Sequence, residues 1–449
     1  MTKGSSGCRF IARWLSPLVV LAASASAEES RLSFEPASAA DPSCVEIQPD
    51  MLVPRVVDTS LSLGRARFCL PGTSNGQGYV ALGVYDFFGY PSVDEHWVVK
   101  PRWGGTSTGT LLAYVQHLEL LPQGDGWLTS EQSFYYGLAM LRSWPPGGSP
   151  NGVPLKAIDV PLESTTPPIV APDFTSGLVV AFEDGNDALN LKVQRFTSDL
   201  TSRSAAVNVA VAAHGQMAAG VDADRATLIL FDGATAGLPP GHTGGRWFDP
   251  CGAALTDVFD AAAYPISGSL VPLIDGSLVL QSNGQWVGRF THLSTAPAGS
   301  APAWLAARPD TRLAWIHHGN GYALTPAAGF ALAECRQPIF LYSKTGAFCG
   351  TATFTVDTLP CTTGGINVGP DGTVVMLSPR SGACLDPPRC FENECIFSWW
   401  PSVLGCRGSG QRGEGCPGTV TGSGNPVPVT VNAQRPPDGT RPIQCGRAP

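Results

Sequence analysis

Charge is scarce in this chain. Lys, Arg, Asp and Glu make up 14% of its 449 residues, against about 25% in an ordinary soluble protein. The formal net charge of -8 comes with no basic stripe or cluster. A nucleic-acid partner and an anionic lipid surface therefore have no electrostatic support. Beyond the N-terminus no apolar run approaches the roughly 20 residues of a membrane span. Sustained 3.6-residue periodicity is almost missing, which argues against a helical domain. No C-x-x-C pair occurs, so the short paired spacings of a structural zinc site are lacking.

Glycine and proline are plentiful instead. With 52 Gly and 40 Pro they form about a fifth of the chain, against about 12% on average. Few charges and many turn-formers suit short strands joined by tight turns. The expected fold class is all-β.

The N-terminus carries the three parts of an export signal. Lys3, Arg9 and Arg13 supply a positive region, and Trp14 to Ala23 is apolar apart from Ser16 and Pro17. Ala25-Ser26-Ala27 is a small-x-small cleavage site. Cleavage would start the mature chain at Glu28 and leave 422 residues, ample for a large core. No Cys follows the cleavage site, which argues against lipidation. The expected location is secreted, periplasmic or at the cell surface.

Of 13 cysteines, Cys8 leaves with the signal. Twelve remain: Cys44, Cys69, Cys251, Cys335, Cys349, Cys361, Cys384, Cys390, Cys395, Cys406, Cys416 and Cys445. An even number in an oxidising compartment reads as disulfides rather than metal ligands. Connectivity does not follow from sequence; Cys44–Cys69 and Cys406–Cys416 are the local pairs to consider first.

A turn followed by a short apolar strand recurs along the chain. Units begin at Gly78 (YVALGVYD), Asp125-Gly126 (WLTS), Gly177 (LVVAFED), Asp224 (RATLILFDG), Asp275-Gly276, Asp310 (TRLAWIHHGNG) and Asp371-Gly372 (TVVMLS). Asn283-Gly284 lies between two apolar runs, a strong type I′ hairpin signal. The mean spacing near 49 residues falls in the range of propeller blades. The expected architecture is a β-propeller of about seven blades, six being the alternative count. The divisions are residues 28–59 as a lead-in, 60–404 as the propeller and 405–449 as a Gly/Pro/Cys-rich tail pinned by disulfides. Tandem β-sandwiches would show linkers about every 100 residues, and none is visible. In this general rhythm the chain resembles secreted bacterial β-propeller-like repeat proteins. No kelch, WD or sialidase Asp-box consensus matches, although Gly-Gly pairs stand at 104–105, 244–245 and 364–365. The resemblance assigns no functional residue.

Several places invite chemistry. G-x-S-x-G occurs at Gly72-Thr73-Ser74-Asn75-Gly76 and at Gly105-Thr106-Ser107-Thr108-Gly109. A nucleophile elbow needs a strand-to-helix turn. The first match precedes a strand; the second precedes Leu111 to Leu121, which has helical potential. His317-His318 reads as a solvated pair at a hairpin end. Glu183-Asp184-Gly185-Asn186-Asp187 and Asp222-Ala223-Asp224 are rich in oxygen ligands, a beginning for structural calcium. Asp, Asn and Gly also serve tight turns by themselves, and that reading is favoured. Trp103, Trp144, Trp247, Trp286, Trp315, Trp399 and Trp400 suit either sugar stacking or blade packing, and packing is favoured. No catalytic residue and no cofactor is assigned. The expected function is a non-catalytic binding module for a protein or glycan. The alternatives are a polysaccharide hydrolase or lyase using carboxylates on a propeller face, and a structural surface component.

Overall fold

The computed structural model describes most of residues 32–405. Residues 1–31 and 406–449, and connecting segments such as 59–67, 102–109, 328–335, 356–364 and 382–392, lie outside the described residues. The export signal, the tail and the second G-x-S-x-G match fall among them. The regular structure of the described residues is almost all strand, in seven antiparallel sheets.

The sheets follow one another along the chain. The first holds Phe68–Ser74, Tyr79–Phe88, Ser92–Pro101 and Thr110–Val115; the second holds His117–Pro122, Trp127–Ser133, Leu138–Trp144 and Lys156–Pro161. The third holds Ile169–Pro172, Gly177–Asp184, Asn190–Thr197 and Val207–Asn208; the fourth holds Ala218–Val221, Thr227–Asp232, Thr243–Phe248 and Phe259–Asp260. The fifth comprises Gly268–Pro272, Leu278–Ser282, Gln285–Phe290 and Gly299–Ser300. In the sixth, Thr311–Ile316, Gly321–Pro326, Arg336–Ser343 and Phe348–Thr355 are joined on the outside by Leu32–Pro36. The seventh combines Gly365–Val368, Val374–Ser381 and Asn393–Trp400 with Val56–Asp58.

Neighbouring sheets pack in the order of the chain. The first strand of the third sheet lies against that of the fourth, and the fourth's against that of the fifth. The first strand of the seventh sheet lies against Phe68–Ser74 of the first. Meandering sheets with their first strands gathered together form the arrangement of a β-propeller.

The burial pattern gives the physical reason. Along Thr227–Asp232, Ile229 and Phe231 point into a core shared with the third sheet, where Val179, Ala181 and Val193 also lie. Leu228 and Leu230 point the other way, into a core with Leu270, Leu278, Leu280 and Phe290 of the fifth. Period-2 alternation thus places apolar residues on both faces, and each face meets a different neighbour. That is why the strand reads as an uninterrupted apolar run. Tyr322 and Leu324 share a core with Val279 of the fifth sheet, whereas Ala323 joins Ile366, Val374 and Met376 of the seventh.

Local details agree with turn chemistry. Asn283 and Gly284 both have positive φ, at 48° and 76°, as a type I′ turn requires. The Gly244-Gly245 pair is a packing device: a Cβ on Gly245 would stand 2.5 Å from the Phe259 ring, and one on Gly244 would stand 2.7 Å from Phe231. Leu111 to Leu121 is not helical. It contributes Thr110–Val115 to the first sheet and His117–Pro122 to the second. A short apolar run does not distinguish strand from helix by itself, and cross-strand pairing decides.

The N-terminal segment is sewn into the end of the chain. Leu32–Pro36 pairs with Phe348–Thr355, and Val56–Asp58 pairs with Asn393–Trp400. Between them, Cys44 forms a disulfide with Cys349 across 305 residues, with Cα atoms 5.2 Å apart. This corrects the local Cys44–Cys69 pairing. Loop closure favours near partners in an unfolded chain, but in the fold strand pairing places the N-terminal segment beside the sixth sheet. Cys251 is also disulfide-bonded. Cys69 and Cys395 lie in strands. The other cysteines expected to pair lie outside the described residues. Among the described residues no helix is long and apolar enough to cross a membrane.

Candidate functional site

The two oxygen-rich turns have different fates. The first joins Gly177–Asp184 to Asn190–Thr197 and supplies its own cation. Lys192 Nζ stands 2.7 Å from Asp184 Oδ2 and 2.8 Å from Asp187 Oδ2. Asp184 Oδ1 accepts the Asn186 amide at 2.9 Å, and buried Glu183 accepts the Gly215 amide at 2.7 Å. Partial burial raises the Asp184 carboxyl, but the Lys192 and Asn186 hydrogen bonds outweigh it and hold the pKa below 3.8. Lys192 is raised by its two carboxylate partners.

A lowered carboxyl pKa stabilises the fold above the unfolded value and loses that contribution as pH falls through the folded one. Asp184→Asn is therefore expected to cost about 1 kcal/mol at neutral pH. The difference from the parent should vanish well below pH 3.8, the ordinary value for this group. Urea unfolding at a series of pH values measures this; a difference unchanged in acid would refute it.

The second turn, residues 222–225, joins Ala218–Val221 to Thr227–Asp232. Asp222 is 0% exposed. Its backbone N–H donates to Ala226 O at 2.9 Å, its carbonyl accepts from Arg225 N at 3.0 Å, and its Oδ1 accepts the Ala226 amide at 2.8 Å. Its remaining oxygen, Oδ2, faces His292 Nδ1 at 2.7 Å. His292 comes from the loop after Gln285–Phe290, in the next sheet. Asp224 Oδ2 lies 3.5 Å from the same nitrogen. Beneath them, Trp247 of the fourth sheet donates from Nε1 to Ser294 O at 2.8 Å, with its ring 6.2 Å from that of His292. Burial pushes the Asp222 carboxyl up, and the hydrogen bond from His292 opposes this.

Asp222, Asp224 and His292 each present one ligand atom, all within 4.8 Å of one another. Such a trio suits a cation or a shared proton. The sequence identified the acidic pair but not the histidine. His292 stands 70 residues from Asp222, and no local spacing signals the match.

A second cluster lies where the fifth and sixth sheets meet. Trp304, in the short helix Ala303–Ala306, stacks obliquely between Tyr322 at 5.0 Å and Tyr342 at 4.9 Å. Tyr342 is 5.3 Å from Phe348, which is 38% exposed. The Arg308 guanidinium stands 3.8 Å over the Phe340 ring and donates to Tyr342 Oη at 3.1 Å. Rings with a cation beside them form a ledge that recognises planar or apolar faces. Neither Trp304 nor Phe348 stood out in the sequence, because the ledge exists only after two sheets meet.

Ser74 ends the strand Phe68–Ser74, which pairs with Tyr79–Phe88, so the strand-to-helix turn of a nucleophile elbow is not there. His317 is buried rather than solvated; it has φ 49° and donates its amide to Leu404 O at 2.9 Å. The segment just after the last strand, at Leu404, packs over this turn, which the sequence around it does not reveal. Trp247, Trp286, Trp399 and Trp400 are buried in cores, and Trp315 donates to Pro272 O at 2.9 Å.

The sequence matches no protein-family model and no curated protein. Loose structural likeness exists to the propeller of Dos1, with 8% identity over 74% of this chain and 78% of that one and a TM-score of 0.39. The β-propeller domain of Cps50 (Swd1) from Myceliophteria thermophila gives 12% identity, 77% and 99% coverage and a TM-score of 0.41. A puromycin hydrolase gives 13%, 75% and 54% coverage and 0.40. The assignment of the fold rests on this chain's own sheet order and register.

Proposed function

We propose that this chain is an exported, disulfide-stapled propeller of seven blades that binds a protein or glycan outside the cytoplasm without transforming it. In this reading residues 60–404 make up the propeller and the N-terminal segment locks it. The Cys44–Cys349 bond supports an oxidising compartment. The export signal and the even cysteine count agree with it.

The observation that carries the binding role is the ledge of Trp304, Tyr342, Phe348 and Arg308. The partly exposed rings of Trp304 and Phe348, backed by buried Tyr342 and flanked by a guanidinium, are suited to recognition. The carboxylates of Glu183, Asp222, Asp249 and Asp275 all accept hydrogen bonds from backbone amides. This is turn-shaping work.

The test is a screen of purified protein against panels of glycans and extracellular proteins, with Phe348→Ala alongside. Binding without product release is expected, weakened about tenfold in the variant. Mass spectrometry of the exported protein should place its N-terminus at Glu28. Release of sugar from any glycan, or binding that ignores Phe348→Ala, would overturn the reading.

A further inference from the structure

We propose that Asp222, Asp224 and His292 bind a divalent transition metal of the zinc class, bridging the fourth and fifth sheets. This stands independently of the partner-binding reading.

The geometry comes first. Zinc takes imidazole nitrogen and carboxylate oxygen at about 2.0–2.2 Å, so neighbouring ligand atoms in a tetrahedral site lie roughly 3–3.6 Å apart. His292 Nδ1 stands 2.7 Å from Asp222 Oδ2 and 3.5 Å from Asp224 Oδ2. Small shifts of two side chains therefore complete three corners of the site. The fourth corner faces solvent, since His292 and Asp224 are 42% and 70% exposed at the side chain. Water or a ligand group would take it.

The second observation is the buried charge. Asp222 is wholly buried, and a second carboxylate stands beside it. A buried carboxylate beside another needs positive charge. At the acidic turn of the third sheet Lys192 supplies it, at 2.7 and 2.8 Å. At this turn the group facing Asp222 Oδ2, at 2.7 Å, is the imidazole of His292, itself a ready metal ligand, and a bound metal would bring the positive charge.

The ligands are also pre-positioned. The Ala226 amide fixes Asp222 through its other oxygen, and Trp247 Nε1 fixes the His292 loop through Ser294 O. Outer partners of this kind orient ligands and sharpen affinity. The donor set selects the metal: imidazole suits zinc and its neighbours, whereas calcium seeks six to eight oxygens. The oxygen-rich turn at 222–224 thus points away from structural calcium once His292 is included.

Untagged protein stripped with a chelator and titrated with zinc against a chromophoric competitor tests this. About one strongly held equivalent per chain is expected, with a rise in melting temperature that calcium does not reproduce. Asp224→Ala and His292→Gln change exposed side chains, and their folding is checked by circular dichroism without metal. Each should weaken zinc binding by about tenfold or more, the scale on which even outer-shell partners act. Equal zinc binding by parent and variants, no zinc binding, or a response to calcium in place of zinc would overturn the proposal.

Discussion

Replacing Cys44 and Cys349 together by serine is expected to lower stability by about 3–5 kcal/mol. The bond closes a loop of 305 residues, so its loss returns much conformational freedom to the unfolded chain. It also frees the folded protein locally. Leu32–Pro36 is the outer strand of the sixth sheet, and Val56–Asp58 is the outer strand of the seventh. Without the bond these strands are held by their ladders and by Ile47, buried against Ile339, Leu341 and Ala352. The double variant avoids leaving one thiol to attack other disulfides. Urea unfolding with hydrogen exchange separates two contributions. A lower midpoint at constant slope reports a cost to the whole fold, and a smaller slope reports prior release of residues 32–58. A variant as stable as the parent, with equal protection of those residues, would show that the strand ladders suffice.

Trp247→Ala is expected to cost about 3–5 kcal/mol, the usual range for a buried aromatic truncated to alanine. Trp247 is 0% exposed and fills the space between the fourth and fifth sheets, among Leu228, Leu230, Phe259 and Phe290. Its deletion opens a cavity at a seam where two rigid sheets meet and neither can collapse inward easily. Its Nε1 also satisfies Ser294 O. Trp247→Phe isolates that part: the ring remains, the carbonyl loses its donor, and about 1–3 kcal/mol should be lost. Chemical denaturation of the three proteins gives both numbers. A loss below about 1 kcal/mol for the alanine variant would mean that the seam repacks. Because Trp247 lies under His292, Trp247→Phe should also loosen the Asp222–Asp224–His292 trio while leaving its ligands in place.

The repeat was legible because a blade is a local object. Its turns need Gly, Asp and Asn for their own backbone, and its strands need apolar residues at both parities. Asn283-Gly284 and the run TLILF show this directly. The acidic turns were legible for the same reason. Their different outcomes were not. Lys192 answers the turn at 184–187 from within the same hairpin, whereas His292 reaches Asp222 from the next sheet.

What the sequence determined by itself is therefore what depends on neighbours along the chain: strands, hairpins, the repeat spacing and the cysteine inventory. What only the tertiary structure decided depends on which sheets meet. Cys44 found Cys349 and not Cys69 because strand pairing brings the N-terminal segment to the sixth sheet. Trp304 reaches Tyr322 and Tyr342, and His292 reaches Asp222, at seams between sheets. Side chains from separate units meet there through packing, and packing between units leaves no fixed spacing to read.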